Sequence, residues 1–301
     1  MRSCTKRKTR SAARQRDRCS TLKNRDFLMN IADAVEALFK ANDGLKGRNF
    51  KDFTAALKQR GIIAFRDKFT ARYLRQLGFE AKTIFDVGVN RGTPELYQTF
   101  LDRKIVLVEP LGHHIDAIKK KWPKVDFDAH IIAAGKEDAQ IEVPLTPITG
   151  HFSLKSRAGL HLDASNAVPV KVRRLDELTQ EYGYDGPYGL KIDIEGHEYD
   201  CLLGCSSIMD KVEFVIAECQ IKKIFVGVRP ISATIALMAE YGFEIYDVLN
   251  ARAYAPNQLD FLFLKRDDER FVFNAEKSKK RIEMLREAEK NKKARGSTTD
   301  A

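Results

Sequence analysis

Three clusters in this sequence hold side chains able to do chemistry, and each closes an apolar, β-type run. The first is Asp86-Val-Gly-Val-Asn-Arg-Gly92, where a run of strand formers stops in a carboxylate and Gly88, Asn90 and Gly92 follow at alternate positions. Glycine enters the left-handed backbone region without a Cβ clash and asparagine tolerates it next best, so the pattern suits a sharp strand-to-helix turn. Such a turn offers backbone N–H groups and a helix start to a ligand, usually a nucleotide-like cofactor. The second cluster centres on Glu109, 21 residues after Gly88, at the end of Ile105-Val-Leu-Val108. An acid about 20 positions beyond a Gly-rich turn can accept hydrogen bonds from both hydroxyls of a ribose. The third holds Asp193, Glu195, His197 and Glu198 at the end of Gly189-Leu-Lys-Ile-Asp-Ile194.

In the third cluster, strand alternation puts Lys191, Asp193 and Glu195 on one face. A lysine entering a sheet buried on both sides needs a counter-charge, and one of these acids can supply it. Crowding of this kind perturbs pKa values, which suits a general base, although structural ion pairs do the same. His197 has an ordinary pKa near 6.5, convenient for proton transfer. Glu198, at the start of the next helix, is read as an acid stabilised by the helix dipole. Asp193, Glu195 and Glu218 offer oxygen ligands to a hard divalent ion, but no metal is assigned. His151 and the His113-His114 pair could touch substrate or cofactor, with a surface position as the plainer reading.

The elements that must position these groups alternate from residue 83 onward. Strands are expected near 83–87, 104–108, 127–133, 188–194, 212–218, 243–248 and 259–264, with helices near 93–102, 112–121, 175–182, 197–204 and 231–240. Alternation of this kind implies a parallel sheet with helices on both faces. Asp86, Glu109, Asp193 and Glu218 then fall at the C-terminal strand ends, where open α/β sheets bind ligands. Between 136 and 174 the pattern lapses into two short strands, 141–145 and 168–172, around the polar loop 149–155, a natural substrate lid. The last two strands should form a hairpin that closes the sheet. Before the domain, helical periodicity at 26–39, 50–57 and 65–77 makes a prelude. The domain boundaries are therefore a basic tail over 1–25, helices over 26–79, the α/β domain over 80–265 and a charged tail over 266–301.

Composition narrows the setting. The chain of 301 residues carries a net charge of +10, yet residues 1–25 hold ten Lys or Arg and one Asp, and residues 265–301 hold twelve basic and eight acidic side chains. The middle is slightly acidic. Basic ends can bind nucleic acid or an anionic surface by neutralising phosphates, or simply remain solvated. No apolar window is long enough to span a bilayer. The basic N-terminus lacks the apolar stretch of a secretory signal. Five cysteines form no metal-binding pattern, and Cys201 and Cys205, four apart on an expected helix, read as buried, reduced thiols, so a cytoplasmic setting is expected.

The first turn lacks the full G-x-G-x-x-G of nicotinamide and flavin proteins. It suits an adenosine ligand without a pyrophosphate, a description S-adenosylmethionine fits. Together, Asp86-Val-Gly-Val-Asn-Arg-Gly92, Val108-Glu-Pro110, Arg174-Leu-Asp-Glu-Leu178 and Leu190-Lys-Ile-Asp-Ile-Glu-Gly-His-Glu198 resemble the FkbM family of S-adenosylmethionine-dependent methyltransferases, over roughly residues 80 to 265. Val89, where the family often has Ala, and Leu111-Gly-His-His114, in place of a Pro-containing turn, are mild departures. The resemblance implies a doubly wound, mostly parallel seven-stranded Rossmann-like methyltransferase sheet with an antiparallel closing strand, following the helical prelude. It implies that Asp86, Gly88, Asn90, Gly92 and Glu109 hold S-adenosyl-L-methionine, and that Asp193 with Glu195 or His197 handles a hydroxyl of a sugar, glycan or related small molecule. A nucleic-acid methyltransferase using the basic ends, and a non-catalytic binding module on the same fold, are the rival readings.

Overall fold

The computed structural model describes residues 57–59, 68–144, 153–155, 167–250 and 256–273, with 279, 282 and 283. The chain divides into two compact units, Met1–Arg66 and Asp67–Ala301, and the second contains the α/β sheet. The basic tail, the helices expected at 26–39 and 50–57 (save Leu57), His151 and most of the C-terminal tail lie outside the described residues.

Strands β1 (Thr83–Val87), β2 (Lys104–Val108), β3 (Phe127–His130), β7 (Tyr188–Ile192), β8 (Val212–Gln220), β9 (Phe243–Val248) and β10 (Gln258–Lys265) form one sheet in the order β3-β2-β1-β7-β8-β10-β9. β10 runs antiparallel to both of its neighbours; the β3-β2-β1-β7-β8 pairings are parallel. The chain winds outward from β1 to β3 and returns on the other side at β7. The crevice between the C-terminal ends of β1, β2 and β7 is thus the topological switch point.

Both faces are buried, and each strand feeds both by alternation. Phe85, Val87, Val106, Val108, Leu190 and Ile192 pack with helices α4 (Leu175–Tyr182), α5 (Glu198–Leu203) and α6 (Ile231–Glu240). Ile84, Ile105, Leu107, Phe214 and Ile216 pack on the other side with α1 (Ala71–Leu77), α2 (Pro94–Thr99) and α3 (Gly112–Lys121). Gly189 lets the Phe214 ring lie over the neighbouring strand, since a Cβ would overlap it. Phe214 in turn stacks on Phe79 at 4.2 Å between ring centroids.

Several expectations shift. The helix foreseen over 65–77 spans Ala71–Leu77, with Thr70 Oγ accepting from the Tyr73 N–H and Gly78 ending it in the left-handed region. It belongs to the α/β unit and not to a separate prelude. The strand foreseen at 127–133 splits because the chain changes partner. His130 still pairs with Val108, whereas β4 (Ala133–Ala134) pairs with Val172 and Arg173. β4, β6 (Ala167–Arg173) and β5 (Ala139–Pro144) form a small second sheet in the order β4-β6-β5, which accounts for the lapse in alternation. Arg174 makes a two-bond fork to the buried Asp176 at 3.0 and 2.6 Å, and Asp176 also accepts from the Ser207 N–H. This part of the Arg174–Leu178 motif is structural. It ties α4 to the turn after α5.

Candidate active site

A cavity of about 290 Å³ opens at the switch point, lined by Gly88, Asn90, Glu109, Asp193, Glu195 and Glu218 among others. That is close to the lower bound of small-molecule sites, roughly 300 Å³. One wall is apolar: Val87, Val108, Pro110, Ile132, Ala133 and Ala134. β4 of the small sheet is therefore part of this wall. Ser153 and Leu154, from the loop expected to act as a lid, also line the cavity. Ser153 Oγ donates to the Glu195 carbonyl at 2.8 Å.

Gly88 and Asn90 take the positive φ their types suggest, 79° and 41°. At Gly88 a Cβ would overlap the Asp193 carbonyl oxygen, so only glycine lets the end of β1 lie against the end of β7. Glu109 is 3% exposed. Its two oxygens accept from the backbone N–H groups of Asn90 at 3.1 Å and Leu111 at 3.0 Å, with His114 Nδ1 3.5 Å away. Two N–H bonds fix the carboxylate yet leave lone pairs free for a ligand's hydroxyls.

Asp86 does not line the cavity. Its side chain points into the layer between β1 and α2, where Tyr97 and Thr93 donate their hydroxyls to it at 2.6 and 3.1 Å. Register explains this: Asp86 is paired directly with Lys191, and both are buried. Lys191 Nζ lies 3.7 Å from Asp86 and 3.2 Å from Asp193. Burial pushes the Asp86 carboxyl up against the opposing pull of Lys191 and the two hydroxyls. Burial alone would lower Lys191, but Asp193 and Asp86 outweigh it and hold the ammonium above the ordinary lysine range. Gly92 likewise faces inward, toward Tyr97 and Ile118.

Asp193, Glu195 and Glu218 each bring a carboxylate oxygen within 4.8 Å of the other two. Oxygen donors so arranged are those a hard cation takes. Burial and the neighbouring Asp193 push the Glu218 carboxyl up to about 10, although a hydrogen bond from Gln258 opposes this. Like charges this close cannot all persist in a shielded site. Glu195 adopts φ 54°, which turns the chain sharply after β7. After that turn His197 caps α5 and leaves the cavity. Its Nδ1 lies 3.3 Å from Asp200, without hydrogen-bond geometry, and burial lowers its pKa. Glu198 lies beneath the turn, 4% exposed, and burial pushes its carboxyl up to about 7 against the pull of backbone N–H groups.

Of the residues read from sequence, the fold brings Gly88, Asn90, Glu109, Asp193 and Glu195 together at the cavity and leaves Asp86, Gly92 and His197 outside its lining. Gln258, Ser153 and the Ile132–Ala134 wall are site residues that sequence alone does not single out. Only the loop around Ser153 carries a signal, as a polar insertion beside the strand ends.

The Methyltransferase FkbM domain model matches residues 86–245, more than half of the chain. The chain belongs to the FkbM methyltransferase family. No curated relative matches it by sequence. Among solved structures, the FkbM methyltransferase from Methylobacillus flagellatus KT is 14% identical with a TM-score of 0.41, covering 68% of this chain and 45% of that one. EvdMO1 is 10% identical with a TM-score of 0.36, covering 64% of this chain and 39% of its own. The magnesium protoporphyrin IX methyltransferase from Synechocystis PCC 6803 is 9% identical with a TM-score of 0.38, covering 72% and 85%. The chain thus spans less than half the length of the first two. The cofactor of this FkbM domain is S-adenosylmethionine, and the residues fit it. A braced carboxylate suits a ribose, an apolar wall suits a flat ring, and an acidic wall suits a ligand with a cationic sulfonium and ammonium.

Proposed function

We propose that this FkbM domain catalyses methyl transfer from S-adenosylmethionine to a hydroxyl oxygen, on a sugar, glycan or related small molecule. The observation that carries the reading is Asp193, whose carboxylate is anchored by Lys191 yet remains 34% exposed, in the wall of the cavity that Glu109 also lines. When bound, the cofactor supplies an electrophilic methyl group. Glu109 would accept hydrogen bonds from the ribose hydroxyls, and the backbone from Gly88 to Asn90 would hold the methionine part. Asp86 and Gly92 hold the turn from behind, through Thr93 and Tyr97. Asp193 orients the acceptor hydroxyl and takes its proton as the new bond forms, a role typically worth about 10²–10⁴-fold in rate. Glu195 and Glu218 complete the acidic wall, where a neutral Glu218 donates a hydrogen bond to an acceptor oxygen. Ser153 and Leu154 help exclude water, so that alignment supplies much of the acceleration.

Free, buried Cys201, Cys205 and Cys219 suit a reducing compartment such as the cytoplasm. No helix among the described residues is long and apolar enough to cross a membrane.

The test pairs binding with transfer. Calorimetric titration with S-adenosylhomocysteine should give micromolar affinity. Labelled methyl groups should then pass to members of a sugar and glycan panel and not to RNA or DNA. Folded protein that fails to bind S-adenosylhomocysteine would overturn the reading; transfer to nucleic acid alone would replace its acceptor class.

A further inference from the structure

Between the end of β7 and the start of α5 the chain makes a turn, 193–197, that supplies three cavity-lining residues in a row: Asp193, Ile194 and Glu195. The turn is conformationally costly. Glu195 sits at φ 54° and Gly196 at φ 98°, and a non-glycine residue in the left-handed region persists only where its surroundings hold it. At Gly196 a Cβ would press on the Phe225 ring at 2.8 Å, so the turn cannot relax by a simple side-chain exchange.

Side chains on two sides hold it. From the inserted loop, Ser153 Oγ donates to the Glu195 carbonyl. From beneath, a single oxygen of Glu198, Oε1, accepts from the backbone N–H of Ile194 at 3.1 Å and of Gly196 at 2.9 Å. These two donors flank Glu195. Without Glu198 they would be stranded beside the apolar layer that contains Ile192, Cys201 and Cys219. A buried donor left without an acceptor is costly, and so is a left-handed non-glycine residue.

We infer that Glu198 is a positioning residue: its carboxyl oxygen clamps the 193–197 turn in the shape that presents Asp193, Ile194 and Glu195 to the cavity. Its place at the start of α5 suggests a helix-dipole role, but the side chain also reaches back to the turn through the Ile194 and Gly196 N–H groups. The functional consequence rests on the methyltransferase reading; the clamp itself does not.

The experiment uses the full chain and two substitutions. Glu198→Leu keeps similar bulk and removes the acceptor; Glu198→Gln keeps one acceptor oxygen and removes the charge. Amide hydrogen exchange, read at Ile194 and Gly196 without any ligand, tests the clamp. Affinity for S-adenosylhomocysteine tests its consequence. In Glu198→Leu the two amides should exchange at least about tenfold faster while core strands β1 and β8 keep their protection, and affinity should weaken by about tenfold. Glu198→Gln should restore both. Unchanged exchange at Ile194 and Gly196 in Glu198→Leu would overturn the inference. So would an even loss of protection across the sheet, which marks a general stability role. If the wild type does not bind S-adenosylhomocysteine, the methyltransferase reading fails and the exchange result still decides the clamp.

Discussion

Lys191 Nζ lies 3.2 Å from Asp193 and 3.7 Å from Asp86, so one buried ammonium joins a carboxylate at the cavity to another sealed inside the sheet. Removing the cation leaves Asp86 buried without its counter-charge. Breaking a buried pair from one side typically costs about 3–5 kcal/mol. Lys191→Met should therefore lower stability by that order in urea unfolding. The added substitution Asp86→Asn should recover part of the loss, because it removes the stranded charge. A Lys191→Met protein as stable as wild type would show that the pair carries no such weight.

Glu109→Ala should weaken S-adenosylhomocysteine binding by about 10- to 100-fold, since hydrogen bonds to a charged group are worth about 1.5–3 kcal/mol. Calorimetry gives the affinity directly. Equal affinity in wild type and variant would remove the ribose assignment.

Asp193→Asn should separate binding from chemistry. The amide can still occupy the wall but cannot take the acceptor proton. Turnover on an acceptor found in the glycan panel should fall about 10²–10⁴-fold, with S-adenosylhomocysteine affinity within about threefold of wild type. Retained turnover would move the base elsewhere.

Glu218 sets a pH dependence of stability. Its carboxyl is raised from 4.5 to about 10 in the folded state, by burial first and then by Asp193. The folded chain therefore binds this proton more tightly than the unfolded chain does. The resulting stabilisation is complete below about pH 4.5 and is lost as pH rises toward 10. In chelator-treated buffer, the wild-type melting temperature should fall relative to Glu218→Gln as pH is raised from about 5 to about 10. Parallel curves for the two proteins would refute the shifted carboxyl.

Legibility in the sequence followed burial. β1 and β2 fall on their expected residues because strands running between layers show as short apolar runs between clear stops, and β9, a half-buried edge strand, does so after the break at Gly242. Gly88, Asn90 and Glu109 were legible because a turn and a strand end are local. The inward placement of Asp86 was not local. It depends on β1 lying in register with β7, which sets Asp86 beside Lys191, and on Tyr97 reaching back from α2. His197 left the cavity for a similar reason: two left-handed residues, Glu195 and Gly196, redirect the chain before it. Strict strand alternation has no way to register that bend. β4 was hidden because two alanines after a strand look like its continuation, and only Val172 and Arg173, far along the chain, reveal the change of sheet.

Because Ala133 and Ala134 of β4 border the cavity while bonding to β6, the inserted sheet and the surface proposed to cradle the cofactor are stitched together. The stretch between β5 and β6 is therefore a poor cassette for transplantation. Exchanging it to redirect the enzyme to a new acceptor would disturb donor affinity as well, and variants bred for altered selectivity should carry compensating changes at Ile132 to Ala134.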